Sequence, residues 1–134
     1  MIALSKEIYQ KMMDHAAAGY PNEACGILAS DAKGKVSEFY AMKNVDLSAI
    51  SYFMDPKEQL QVFKDMRSRS LVMSGIFHSH VASEAYPSQK DVRLAFYPDV
   101  SYLIVSLTDP KNPILRSYRV ADEKVTEEPV ELNG

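Results

Sequence analysis

The chain reads as an α/β domain, a single mixed β-sheet with flanking helices, and three observations predict this. Apolar residues recur at helical spacing in two segments, strand-length apolar runs recur in several others, and the two kinds alternate along the chain. No repeat, linker or low-complexity stretch interrupts the 134 residues, a length that buries one core, so one domain spanning 1–134 is expected.

The first helix is expected over 5–19, with Leu4, Ile8, Met12, His15 and Ala16 near one face and Gly19 plus Pro21 stopping it. His15 is then a surface or boundary residue. A strand follows over 23–29, and the turn at 31–35, containing Gly34, leads into a second strand over 36–42. Residues 44–53 carry no clear pattern. Pro56 suits a first helical turn, so a second helix is expected over 56–68 with Leu60, Phe63 and Met66 inward. The apolar run 71–79 reads as a central strand and 81–87 as a loop. Ser88 is a good N-cap for a helix over 88–96, which Pro98 ends. Strands over 100–107, 114–120 and 124–130 complete the chain, the last two joined by a turn at Asp122 and Glu123.

Bulk properties exclude several classes. The formal net charge is −3 and the basic residues are scattered, which argues against nucleic-acid binding. No segment approaches the roughly 18 apolar residues of a membrane helix, and the charged opening MIALSKEIYQ is unlike a signal peptide, so a cytoplasmic location is expected. Cys25 is the single cysteine, so a Cys-rich zinc fold is excluded, as is a nucleobase deaminase with its PCxxC site. Any metal must be held by nitrogen and oxygen.

The run His78-Ser79-His80 meets that requirement. Alternation along a strand sends both imidazoles to one face and Ser79 to the other, and Asp91, in the first turn of its helix, can lean back to make a third ligand. Three protein ligands and an open position are what a catalytic zinc site needs. A base must still move the proton of the attacking water, and Glu23, Asp55, Glu58 and Glu84 are candidates. Glu23 precedes an apolar strand, where partial burial would raise its pKa and suit it to that work. Ser88 lies between the histidines and Asp91 and could donate to a developing oxyanion. Each residue also has a plainer reading. The histidines could be structural, Ser88 and Asp91 a simple helix cap with the two demands on Asp91 in competition, and Glu23 a solvated loop residue. Cys25 is read as a small buried residue, Tyr102 as core and Tyr86 as a loop residue.

The constellation Glu23, His78-Ser79-His80, Ser88 and Asp91 resembles the signature of the JAMM, or MPN-plus, zinc metalloproteases, in their short prokaryotic form. PNEACGILAS, GIFHSH, YPSQKD and SYLIVSL carry the resemblance, which spans nearly the whole chain. It implies an MPN fold with cytidine-deaminase-like layering. It further implies one Zn²⁺ per chain on His78, His80 and Asp91, with Glu23 as general acid/base and Ser88 stabilising the oxyanion. The implied activity is hydrolysis after the C-terminal Gly-Gly of a ubiquitin-like protein, here a sulfur carrier; the alternative is a non-catalytic MPN scaffold that binds partners. Val81 stands where many short members have proline, so a looser loop is expected there. The short spacings leave no room for long insertions, which predicts a shallow, open groove.

Overall fold

The structure is a computed structural model and describes residues 1–133. The elements run β1 (Ile2–Ser5), α1 (Lys6–Gly19), β2 (Cys25–Ser30), β3 (Val36–Met42), α2 (Pro56–Ser68), β4 (Val72–His80), α3 (Gln89–Arg93), β5 (Ser101–Ser106), β6 (Ile114–Ala121), β7 (Lys124–Glu128) and β8 (Val130–Asn133). Six strands form one mixed sheet in the order β3-β2-β4-β5-β6-β7, and helices cover both faces, which is the α/β architecture expected. Only β4 and β5 of that sheet run parallel, with His78 opposite Ile104 and His80 opposite Ser106. Among the described residues no helix is long and apolar enough to cross a membrane.

The alternating faces of the central strands decide where each layer packs. Ile8, Met12 and Ala16 of α1 bury against Leu28, Phe39, Phe77, Leu103 and Val105 on one face. Val62 and Met66 of α2 bury against Cys25, Ile27, Ala29 and Met42 on the other. Each fully buried large side chain contributes about 1.5–3 kcal/mol, so these two layers supply the main driving force. By the same alternation Phe77 and Ser79 of β4 face α1, while Ile76, His78 and His80 face the side of α2.

Four expectations need correction. The first helix begins at Lys6, because Ile2 and Leu4 belong to β1, which pairs in parallel with β8 as a separate two-stranded sheet. The last long strand is broken at Pro129, which has no N–H for a ladder; its carbonyl instead accepts from Ile2 N–H at 3.1 Å. Leu60 is 53 % exposed, and Val62 takes the inward position, since only residues three or four apart from Met66 share its face. The third helix stops at Arg93, with Ser88 as its N-cap, because the next amides turn to tighter partners, Ala95 N–H to the Val92 carbonyl at 3.3 Å and Phe96 N–H to the Leu94 carbonyl at 3.1 Å. Tyr102 itself is core, as expected.

Candidate metal centre and active site

The strand end of β4 delivers both imidazoles to one point. His78 Nε2 and His80 Nε2 lie 3.0 Å apart, and each lies 3.1 Å from Asp91 Oδ2. Donors bonded to one tetrahedral ion at about 2.0–2.1 Å would be spaced roughly 3.3 Å apart, so this triangle is already close to a coordination face. His80 Nδ1 donates to the Glu84 carbonyl at 2.9 Å, which places its proton on Nδ1 and turns Nε2 into a lone-pair donor for a metal. His78 is buried with its Nδ1 unpartnered, and its ring stacks on Tyr52 at 4.6 Å and 25°. Among the described residues, this triad is a group of His and Asp donors able to hold a metal ion, and its chemistry fits one.

The electrostatics agree with that reading. Burial lowers the His78 pKa and keeps the ring neutral, outweighing the pull of Asp91. Burial also pulls His80 down, but the hydrogen bonds to Asp91 and the Glu84 carbonyl raise it above its ordinary value. Burial would raise Asp91, yet its hydrogen bonds with His78 and His80 hold the carboxyl well below the usual range. A cation entering the triangle therefore meets an ionised carboxylate and displaces at most a proton.

Glu23 sits just before β2 and is 5 % exposed. Burial pushes its carboxyl up to about 7; His80 and Lys90 lower it and Asp91 raises it. The strand begins at Cys25 rather than at Glu23, because both backbone groups of Glu23 leave the ladder. Its N–H donates to the Ser48 carbonyl at 2.8 Å and its carbonyl accepts from Asn44 Nδ2 at 2.9 Å. The next residue is tied to β4: Ala24 N–H donates to Ser79 Oγ at 2.8 Å and Ser79 N–H to the Ala24 carbonyl at 3.0 Å. Ser79, between the two histidines, thus fixes the segment that carries Glu23.

Asn44 escaped the sequence reading. Its Nδ2 also donates to the Ser51 carbonyl at 3.0 Å, and its Oδ1 accepts from the Asp46 and Phe53 amides, each at 3.1 Å. All four hydrogen-bonding positions of this buried amide are used, and they join Glu23 to the loop that places Tyr52 against His78. The Asp46-to-Asn44 bond is an Asx-turn, a signal available in the otherwise patternless stretch. Asn44→Ala is expected to lower stability by about 2–4 kcal/mol in urea unfolding, since the four bonds of one buried amide, among them that to the buried Glu23 carbonyl, are lost at once.

Ser88 and Asp91 form a capping box: Ser88 Oγ accepts from Asp91 N–H at 3.1 Å, and Asp91 Oδ2 accepts from Ser88 N–H at 2.9 Å. The cap and the contacts with both imidazoles meet on one oxygen, Asp91 Oδ2. The Ser88 hydroxyl is exposed and keeps its own proton free to donate. The other carboxylates lie in other duties. Asp55 caps α2, Glu58 accepts from Lys43 N–H at 2.8 Å, and Glu84 is exposed and contributes its carbonyl. Cys25 pairs with His78 across β2 and β4, and burial, then Glu58 and Glu23, push its thiol up to about 12, which leaves it an inert packing group. His15 is a boundary residue whose Nε2 lies 2.9 Å from the Cys25 carbonyl and 3.1 Å from that of Met42, fastening α1 to the strands below.

The loop after His80 is firmly held despite Val81. Three successive carbonyls each accept a side-chain bond: Ser83 from Ser106 Oγ at 2.7 Å, Glu84 from His80, and Ala85 from the Tyr118 hydroxyl. On the other side of Asp91 an open groove of about 220 Å³ runs between Tyr52, Phe53 and Met54 and the segment bearing Leu94, Phe96 and Tyr97.

With this geometry in view, comparison with known proteins places the chain. Residues 5–121 match the family described as prokaryotic homologs of the JAB domain. The chain belongs to this family. The resemblance read from the motif residues is thereby borne out, and relatives of this prokaryotic JAB protein fill in its neighbourhood. It is 41 % identical over 133 residues to a CysO-cysteine peptidase of Mycobacterium bovis, covering 98 % of this chain and 91 % of the relative. It is 30 % identical over 111 residues to a desampylase of Haloferax volcanii, covering 78 % and 80 % of the two chains. The solution structure of a Desulfitobacterium hafniense protein superposes with a TM-score of 0.90 at 44 % identity, over 99 % of this chain and 93 % of that one.

Proposed function

We propose that this prokaryotic JAB protein is a zinc-dependent peptidase that hydrolyses the bond after the C-terminal Gly-Gly of a ubiquitin-like sulfur-carrier protein. The observation that carries the proposal is the meeting of His78, His80 and Asp91 within 3.1 Å, beside a buried carboxyl, Glu23, that feels the charges of His80 and Asp91 and is raised to about 7. Two nitrogens and one carboxylate oxygen suit zinc at a catalytic site with an open position. When bound there, zinc supplies Lewis acidity and lowers the pKa of water.

The chain's own residues do the rest. Glu23, buried and near-neutral in pKa, takes a proton from the attacking water and returns it to the departing amine. Ser88 offers its hydroxyl proton to the oxygen of the carbonyl under attack. His80, held by the Glu84 carbonyl, and His78, stacked on Tyr52, keep their donor atoms fixed throughout. The groove beside Asp91 accepts an extended tail, and glycines suit its approach to the cleft because they bring no side chain to clash. The higher identity with a CysO-cysteine peptidase than with a desampylase supports a carrier bearing cysteine as the preferred substrate.

The test offers the zinc-loaded protein two substrates, a Gly-Gly-ending carrier extended by cysteine and the same carrier joined to a lysine ε-amine. Mass spectrometry is expected to show the cysteine adduct cleaved faster. Failure to cleave either one with the metal in place overturns the proposal.

A further inference from the structure

The loop that supplies the acceptor for His80 has little secondary structure of its own, yet its geometry is fixed from behind. Ser106 closes β5 and is 3 % exposed; Tyr118 lies in mid β6 and is 2 % exposed. Their hydroxyls hold the Ser83 and Ala85 carbonyls, the two neighbours of the Glu84 carbonyl that receives the His80 Nδ1 proton. With both flanking carbonyls directed into the sheet, the intervening one is turned toward the imidazole. Ala85 is buried with Tyr118 and Ile104, which gives this stretch its apolar anchor, and Tyr86 packs edge-on against the Tyr118 ring at 5.4 Å.

We infer that Tyr118 and Ser106 are positioning residues for the metal centre, acting through the Glu84 carbonyl to fix the tautomer and orientation of His80. This rests on the zinc reading of the triad only for its effect on metal affinity. Neither residue touches substrate or metal; each acts at one remove, as partners that orient a ligand do. The device also explains how the loop stays in place with Val81 after the second histidine.

The experiment compares Tyr118→Phe and Ser106→Ala with the wild type by two readouts. Tyr118→Phe keeps the ring and its packing and removes only the hydroxyl. Chelator competition is expected to show zinc affinity reduced about tenfold in each variant. Nitrogen-15 NMR of the metal-free proteins is expected to show the His80 Nδ1 proton hydrogen-bonded and slow to exchange in the wild type and fast to exchange in the variants, whether or not Nε2 also carries a proton toward Asp91. A general loss of packing would lower the melting temperature without singling out the Nδ1 proton. An unchanged Nδ1–H signal in both variants overturns the inference. If the wild type binds no zinc, the proposed function fails, while the Nδ1–H measurement still decides this inference.

Discussion

Glu23→Gln is expected to lower hydrolysis by about 10²- to 10⁴-fold, the range for losing a general acid/base, while zinc content stays at the wild-type level. The amide matches the carboxyl in shape, and the backbone bonds of Glu23 to Ser48 and Asn44 do not involve its side chain. Equal turnover by the variant and the wild type would remove Glu23 from the mechanism. A second consequence follows from its pKa. In the metal-free protein the carboxyl is raised from 4.5 to about 7, so its neutral form is favoured by folding. The stability this represents is present below pH 4.5 and is lost as pH rises through about 7. At pH 8 metal-free Glu23→Gln should therefore be more stable than metal-free wild type, by about 2 kcal/mol once solvent reaching the carboxyl edge is discounted. The difference should vanish near pH 4. Denaturant melts at the two pH values check the sign, and a wild type more stable than the variant at pH 8 would contradict it.

Asp91→Asn is expected to weaken zinc binding by more than about 100-fold, beyond what loss of an orienting partner causes, and to abolish hydrolysis with it. The amide oxygen can still accept from Ser88 N–H, so α3 should persist. Asp91→Ala removes ligand and cap together, and the additional loss of the capping interaction should cost about 0.5–2 kcal/mol. Metal analysis after dialysis, paired with denaturant melts of the two variants, separates the roles. Zinc retained by Asp91→Asn would show that the carboxylate is not a ligand. Because hydrogen bonds from both imidazoles hold Asp91 far below the usual carboxylate range against the effect of burial, it stays ionised at any working pH. Its contribution is present above the unfolded value of 3.8 and is lost only as pH falls far into acid.

The sequence disclosed the triad because strand periodicity makes a geometric promise: two residues apart means one face. Nothing local makes a comparable promise for Glu23, which lies 55 residues before His78 and is marked only by its apolar context and by the resemblance. Asn44 was hidden for a different reason. Its work is to bond backbone groups of residues 23, 46, 51 and 53, and such partners leave no pattern in side-chain hydropathy. The pairing of β1 with β8 joins the two ends of the described chain, so four-residue segments had to be recognised without neighbours. Leu60 shows the limit of hydropathy alone, since an apolar residue near a helix start was counted as core though it faces solvent. Tyr118 and Ser106 read as ordinary strand residues, and only the third dimension places their hydroxyls behind His80.

The short third helix has a kinetic implication. α3 spans five residues, buries none of them, and carries Asp91, one of the three candidate metal donors, on its third position. Its opening requires little apolar surface to be exposed, so it belongs to the low-cost local fluctuations of the native state rather than to global unfolding. If Asp91 is a ligand, the residence time of a bound ion is expected to follow the fraying of this single turn. Solutes that loosen helix ends would speed metal exchange and leave the melting temperature of the six-stranded sheet where it was.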